Sequence, residues 1–332
     1  MRDDYDFVLG RMLEEMEREP WAVMSTTAEL ITEARERHGM EMSPRTITKW
    51  TEDGLLNSPI YQKSTQRGSD PRAYDPMTRI LFHLLLPVYR NMRGRRVLHY
   101  HLADITARIW LMMIGLVGDE QSVRMWSTWA AGRAKAVSGE SERKARAMIQ
   151  NMADPAATRA QRATAKKLLY QTWMGMHDPE DAHHWEMLES ALMAIRSPFT
   201  TMSGKRIERP FELGTYLAGV PELVLTMKLG QQVLALLRER QVSSSVLNSA
   251  RRRYRRLVEQ DELIAERWDA DAVDHPYALG GSGPVPMVMD VNELEGFLAV
   301  LCTELGLTNH ADGSLSDTVI KYHSGFVIPP LD

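Results

Sequence analysis

Residues 43–56 read SPRTITKWTEDGLL, a short helix with a marked start and a marked stop. Ser43 stands at the N-cap, where its hydroxyl accepts a hydrogen bond from an orphan N–H of the first turn. Pro44 falls at the first helical position, where its missing N–H costs nothing. Ile47 and Trp50, with Leu55 and Leu56 past the stop, are the apolar positions, which leaves Arg45, Thr46, Thr48 and Lys49 on the other side. Gly54 is the stop, because glycine reaches the left-handed conformation cheaply. A helix with an apolar back and Arg, Thr, Thr and Lys in front meets the requirements for reading a DNA major groove. An ordinary amphipathic surface helix fits the same description, so the flanking sequence has to decide.

On the N-terminal side, Thr26-x-x-Glu29 matches a capping box ahead of Leu30, Ile31 and Ala34. This predicts a helix ending near Gly39. A four-residue turn, Met40–Ser43, then joins two short helices in a helix-turn-helix pattern. On the C-terminal side, 57–74 (NSPIYQKSTQRGSDPRAY) carries turn formers together with Lys63, Arg67 and Arg72. It reads as a two-stranded hairpin with a polar, basic tip, the alternative being a surface loop. Asp75 as cap and Pro76 at the first position start a further helix with Ile80, Leu81, Leu84 and Leu85 as its stripe. Pro87 is expected to kink or end it.

Charge follows the same boundaries. Residues 43–96 hold ten basic side chains against four acidic ones, a local net of +6 inside a chain of net −4. The chain as a whole is no polycation, so any nucleic-acid site is a local patch.

These residues resemble the MerR-like winged helix-turn-helix family, in which a TIRYYxxxGLL-type recognition helix is followed by a wing ending in Arg-x-Tyr. Here TITKWTEDGLL stands at 46–56, with Thr46, Ile47, Trp50, Gly54, Leu55 and Leu56 in register, and Arg72-Ala73-Tyr74 stands where the wing ends. Excisionase DNA-binding ends are similar. The resemblance covers about residues 25–95. It implies that Arg45, Thr46, Thr48 and Lys49 meet bases or phosphates in the major groove. It also implies that Lys63, Arg67 and Arg72 meet the backbone, and that Tyr74 supports the wing or a phosphate. Thr48-Lys49 stands where the family has Arg-Tyr, so base preference does not carry over. The wing is longer than usual.

The 332-residue length suffices for two or three domains. The sequence predicts a mainly α fold: an N-terminal helix over 1–24, a winged helix-turn-helix over 25–95, a helical dimerisation or effector domain over 96–275, and a small α+β segment over 276–332. Six to eight helices are expected between Val97 and Trp268. Among them are separate helices beginning at Val123 and spanning Lys144–Met152. HPYALGGSGPVP near 276–286 is a loop or boundary, PMVMDV and TVIKYHSGFVI are candidate strands, and Asp290-x-x-Glu293 opens a helix to about Leu305. A single cysteine, Cys302, excludes an internal disulfide framework and points to a reducing cytoplasm, with Cys302 itself placed in an apolar helix as core. The N-terminal stretch has no apolar signal core, and the longest apolar runs are too short to span a bilayer. A cytoplasmic, nucleoid-associated protein with no membrane partner is expected.

Enzymatic chemistry finds little support. His177, Asp178, Glu180, Asp181, His183 and His184 form the densest ligand-type cluster. Glu180 and His184 are four apart, as on one helical face that grips a divalent metal. The same residues also read as an acidic helix start, which is the favoured assignment. Arg251–Arg256 (RRRYRR) is a basic run able to touch phosphate, but Glu259, Asp261, Glu262 and Glu266 follow it, and pairing on a solvated face is the favoured role. Gly280-Gly281-Ser282-Gly283 lacks the Gly-Lys-Ser/Thr of a P-loop. No catalytic residue, metal or cofactor is expected.

The leading expectation is a sequence-specific regulator that binds double-stranded DNA through helix 43–53 and wing 57–74. It would act as a homodimer on a palindromic site, with a small-molecule or protein effector at the helical domain. The alternatives are a phage or plasmid architectural or DNA-segregation protein, and an enzyme housed in the helical domain.

Overall fold

The computed structural model describes residues 24–61, 72–94, 97–112, 115–195, 220–256 and 293–307. The expected N-terminal helix, the wing tip with Lys63 and Arg67, the glycine-rich loop and the C-terminal candidate strands lie outside the described residues. The protein is mainly helical. It divides into two compact units, Met1–Arg133 with Leu237–Leu247, and Ala134–Leu236 with Asn248–Asp332.

The first unit begins with strand β1 (Ser25–Thr26) and helix α1 (Thr27–His38). The capping box forms as its residues dictate: Thr26 Oγ1 accepts from Glu29 N at 3.3 Å, and Glu29 Oε2 accepts from Thr26 N at 2.6 Å. Gly39, at φ +62°, closes the helix in the left-handed conformation. Helix α2 (Pro44–Glu52) is capped by the Ser43 hydroxyl, which accepts from Thr46 N at 3.2 Å. Strands β2 (Ile60–Tyr61) and β3 (Arg72–Tyr74) pair antiparallel, with Ile60 opposite Ala73 and Tyr61 opposite Arg72.

Among the described residues the sheet has three strands where a two-stranded hairpin was expected. β3 lies between β2 and β1, with Ser25 opposite Tyr74 and Thr26 opposite Ala73. Thr26 serves twice. Its extended backbone (ψ 165°) ends a strand, and its side chain starts a helix. Two residues carry no period, so only the cap was visible in the sequence.

Helix α3 (Pro76–Met92) starts at Asp75, whose carboxylate accepts from Thr78 N at 2.9 Å. Of the expected kink or end at Pro87, the end does not occur: the helix continues to Met92. The preceding turns hold it in place: Leu81, Phe82, Leu85 and Leu86 are fully buried, and this packing outweighs one lost helical hydrogen bond. Helix α4 (Leu98–Met112) packs against α3, and α1 against α3. Helix α5 (Asp119–Met152) is one continuous helix where two were expected.

The core of this unit is aromatic. Trp50 meets Phe82 at 5.8 Å and Tyr89 at 5.3 Å between ring centroids. Trp126 meets Trp129 edge-on at 5.3 Å and Trp110 at 6.0 Å. The Trp129 indole N–H donates to Asp104 Oδ1 at 2.9 Å, and the Arg133 guanidinium lies 5.0 Å over its ring.

In the second unit, α6 (Arg159–Trp173) and α7 (Ala182–Ile195) form a helical hairpin. Leu168, Leu169, Trp185, Leu188 and Leu192 are buried together with Ala145 and Ile149 of α5 and with Val220 and Val224 of α8 (Val220–Arg238). Helix α9 spans 244–256, and α10 (Glu293–Glu304) carries Cys302 as core, with burial pushing its thiol up to about 12.

A polar clamp ties α1 to α3. Arg79 donates to both Glu33 oxygens at 3.0 and 2.7 Å, and His83 Nε2 lies 2.9 Å from Glu33 Oε2. His38 Nε2 in turn lies 3.0 Å from His83 Nδ1. Burial pushes the Glu33 carboxyl up, but the His83 and Arg79 hydrogen bonds and the Arg79 charge outweigh it and hold it down at about 2. A carboxyl depressed on folding adds stability that is complete above its unfolded value near 4.5 and is lost as pH falls through about 2. Thermal melts from pH 6 to 2 should therefore show a declining acid limb. Glu33→Gln should lower the melting temperature near neutrality and flatten that limb, whereas identical limbs would remove the clamp from the stability of the unit.

Candidate nucleic-acid interface

Helix α2 divides sharply into two faces. Ile47 and Trp50 are fully buried, while Arg45, Thr48 and Lys49 are exposed and Thr46 is half-buried. The division follows from 3.6 residues per turn, since 47 and 50 share one side and 45, 48 and 49 the other. The structure thus brings four of the predicted site residues onto one helix.

Their chemical states differ. Thr46 Oγ1 lies 3.0 Å from Ser43 Oγ and belongs to the cap, and Thr48 Oγ1 donates back to Pro44 O at 3.1 Å. Both hydroxyls retain acceptor capacity. Lys49 Nζ is 2.7 Å from Asp53 Oδ1 and 3.9 Å from Glu52 Oε2, so much of its charge is answered within the helix. Arg45 has no such partner among the described residues. It sits in a first turn that holds no acidic residue, at the positive end of the helix dipole. A cation there costs a few tenths of a kcal/mol to about 1 kcal/mol, which an external anion would offset.

Tyr74 is buried, and its hydroxyl lies 3.1 Å from Thr51 Oγ1. It therefore joins β3 to α2 from inside, while Arg72 of the same strand is exposed.

The end of α2 is fastened to the start of α5. Arg124 Nε donates to Thr51 O at 3.1 Å, its Nη2 donates to Ser58 Oγ at 3.2 Å, and Thr128 Oγ1 donates to Asp53 O at 2.9 Å. Burial pushes the Arg124 guanidinium down and Glu120 partly restores it, while Arg240 adds to the lowering. Asp53 also receives His99 Nδ1 at 2.6 Å. Burial pushes its carboxyl up, but the His99 and Lys49 hydrogen bonds outweigh this and hold it below the ordinary carboxylate range. Arg124, Thr128, Asp53 and His99 are site-building residues that sequence reasoning missed. Their contacts join residues 46 to 75 positions apart, and no local pattern marks them.

The 177–184 cluster resolves differently. Asp178 Oδ1 accepts from Glu180 N, and Asp181 Oδ1 from His183 N and His184 N. Helix α7 begins only at Ala182, so Glu180 and His184 do not share a helical face as expected. Glu180 instead accepts from Gln232 Nε2 at 2.6 Å. His184 Nε2 lies 2.9 Å from Thr172 Oγ1, and His177 stacks on the His184 ring at 3.8 Å. Burial pushes both imidazoles down, His177 further opposed by His184, which favours the neutral stacked pair. Among the described residues no three ligand-type side chains converge on a metal position.

No known family model matches the chain, and no curated protein or solved structure matches it.

Gly54 sits where α2 meets α5, at φ +74°. A Cβ there would lie 2.7 Å from the Arg124 carbonyl carbon and would also strike Met125 N. Gly39 shares the left-handed conformation at φ +62° but has open space around it. Gly39→Ala should cost about 1–2 kcal/mol, the left-handed penalty alone. Gly54→Ala adds a backbone collision and should cost about 4 kcal/mol or more, the range reserved for such named defects. Denaturant unfolding of the two variants checks this, and equal losses would mean that α5 does not press on Gly54.

Proposed function

We propose that this chain is a sequence-specific regulator that binds double-stranded DNA through a winged helix-turn-helix of the MerR-like kind. Helix α2 enters the major groove, and the β2–β3 segment lies along the backbone as the wing. The observation that carries the reading is the exposed face of α2. Arg45, Thr48 and Lys49 lie on a helix whose opposite side is fixed by Ile47 and Trp50 and whose end is fastened to α5. A groove reader needs this combination of rigid mounting and donor-rich front. The preceding capped helix, the short connection through residues 39–43 and the local net of +6 favour the same reading.

Within this reading Arg45 carries most of the recognition energy. It is the cation of α2 without a carboxylate partner among the described residues, whereas Lys49 must first loosen its hold on Asp53. Arg72 meets a phosphate, and Tyr74 acts as a support. One such module buries too little DNA surface for tight specific binding, so the active species is a homodimer on a palindromic site, in the cytoplasm and on the nucleoid. No described helix is long and apolar enough to cross a membrane. An effector would enter the open groove of about 480 Å³ lined by Leu168, His183, Met187 and Ala191.

The binding site is obtained by selection from random duplexes and confirmed by gel shift. Arg45→Ala should weaken binding to the selected site by about 1–3 kcal/mol and relax preference at one position. Lys49→Ala should have a smaller effect. Binding that shows no sequence preference, or that is indifferent to Arg45→Ala, would sink the base-reading role. Light scattering of the free protein should give twice the chain mass, and a monomer at micromolar concentration would remove the palindrome argument.

A further inference from the structure

Helix α9 carries the run RRRYRR, and the structure sorts its arginines into two groups. Leu247 and Ala250 are fully buried, and Arg251 and Tyr254 nearly so. The Tyr254 ring meets Phe297 of α10 edge-on at 6.2 Å, and Gly296 leaves room for it, since a Cβ there would lie 3.2 Å from the Tyr254 ring. Arg253 Nη1 reaches Glu304 Oε1 at 3.5 Å, beside Ser249, whose hydroxyl donates to Glu304 Oε2 at 2.8 Å. Arg253 therefore belongs to the seam with α10, and Arg251 is buried.

The remaining arginines, Arg252, Arg255 and Arg256, share another side. At about 100° per residue they fall within one arc, turned away from the direction of Leu247, Ala250 and Tyr254. Arg252 and Arg256 are exposed, and Arg255 is half-buried. No carboxylate pairs with any of the three among the described residues, and residues 244–256, SSVLNSARRRYRR, contain no acidic residue at all. The acidic residues from Glu259 onward lie outside the described residues.

We propose that Arg252, Arg255 and Arg256 form a second DNA-contacting surface, which grips the phosphate backbone of duplex DNA without reading sequence. The chemistry fits a regularly spaced polyanion. Three guanidiniums lie within little more than one helical turn, held by a packed seam on the opposite side, with no counter-charge among the described residues. Guanidinium forks bond phosphate oxygens in pairs, and an arginine surface with no apolar anchor supplies backbone affinity and no base discrimination. This surface extends beyond base reading by α2 and stands on its own observation.

The test uses the full chain and a random-sequence duplex of about 30 base pairs, titrated by fluorescence anisotropy at several salt concentrations. The triple variant Arg252→Gln, Arg255→Gln, Arg256→Gln should bind about 100-fold or more weakly at ~0.1 M salt, with a log–log salt slope shallower by about 2 to 3. Its thermal melt should match the parent, because the substituted side chains lie outside the seam. The triple lysine variant should keep the parent's slope, since point charges suffice for phosphate. Parental affinity and slope in the glutamine variant would overturn the proposal. So would an absence of duplex binding by the parent, or loss of binding to phosphatidylserine vesicles with duplex binding unchanged. Failure of base reading is scored separately, by Arg45→Ala on the selected site. A lost site preference together with a shallower slope in the glutamine variant leaves the α9 surface standing.

Discussion

The contact on which the first unit depends is the close approach of Gly54 to the backbone of α5 at Arg124 and Met125. It lets the C-terminal end of a nine-residue helix seat directly on α5. An isolated helix of that length is not stable in water, so its order must come from packing. Trp50 and Ile47 supply the packing on one side. At the C-terminal end, Thr128 takes up the carbonyl of Asp53, and Arg124 adds a second donor to the carbonyl of Thr51, which already accepts from Gly54 N. At the N-terminal end, Ser43 and Pro44 solve the same problem from within the sequence. All of the fastening is thus done by the back and the ends, and the front is left to its own chemistry.

Electrostatics divides along the same line. Several cations that organise the fold are answered by carboxylates: Arg79 by Glu33, Lys49 by Asp53, Arg253 by Glu304. Arg45 and the outward arginines of α9 have no such answer among the described residues. A chain with more acidic than basic residues has no shortage of carboxylates. Guanidiniums without such a partner among the described residues stand as local positive features in a surface of mixed charge. Arg45 adds a second cost through its place at the positive end of a helix dipole.

What the sequence revealed and what it hid follow from the range of the interactions. Caps at Thr26, Ser43 and Asp75, the stops at Gly39 and Gly54, and the burial of Ile47 and Trp50 all depend on neighbours within a few residues, and each was legible. The third strand was not, since Ser25 and Thr26 become a strand only because β3 lies beside them. Continuity of α3 through Pro87 was hidden for a similar reason: local propensity argues for a break, and a run of buried leucines overrides it. In the candidate site, the composition of the α2 face was visible, but the charge state of that face was not. Lys49 and Arg45 look alike in the sequence. Only the arrangement of Asp53, held by His99 and capped by Thr128, shows that one is engaged and the other is not.

Asp53 thereby has a double effect on any partner of α2. By engaging Lys49 it lowers the non-specific attraction of the helix front for phosphate, which is the sequence-independent part of DNA affinity. By doing so next to the α5 joint, it makes release of Lys49 depend on groups that also hold the helix in place. A partner that draws Lys49 away leaves Asp53 with His99 alone, and the remaining charge near the joint changes. Asp53 thus serves the front and the mounting of α2 through different atoms: its carboxylate takes Lys49 and His99, while its main-chain carbonyl takes Thr128.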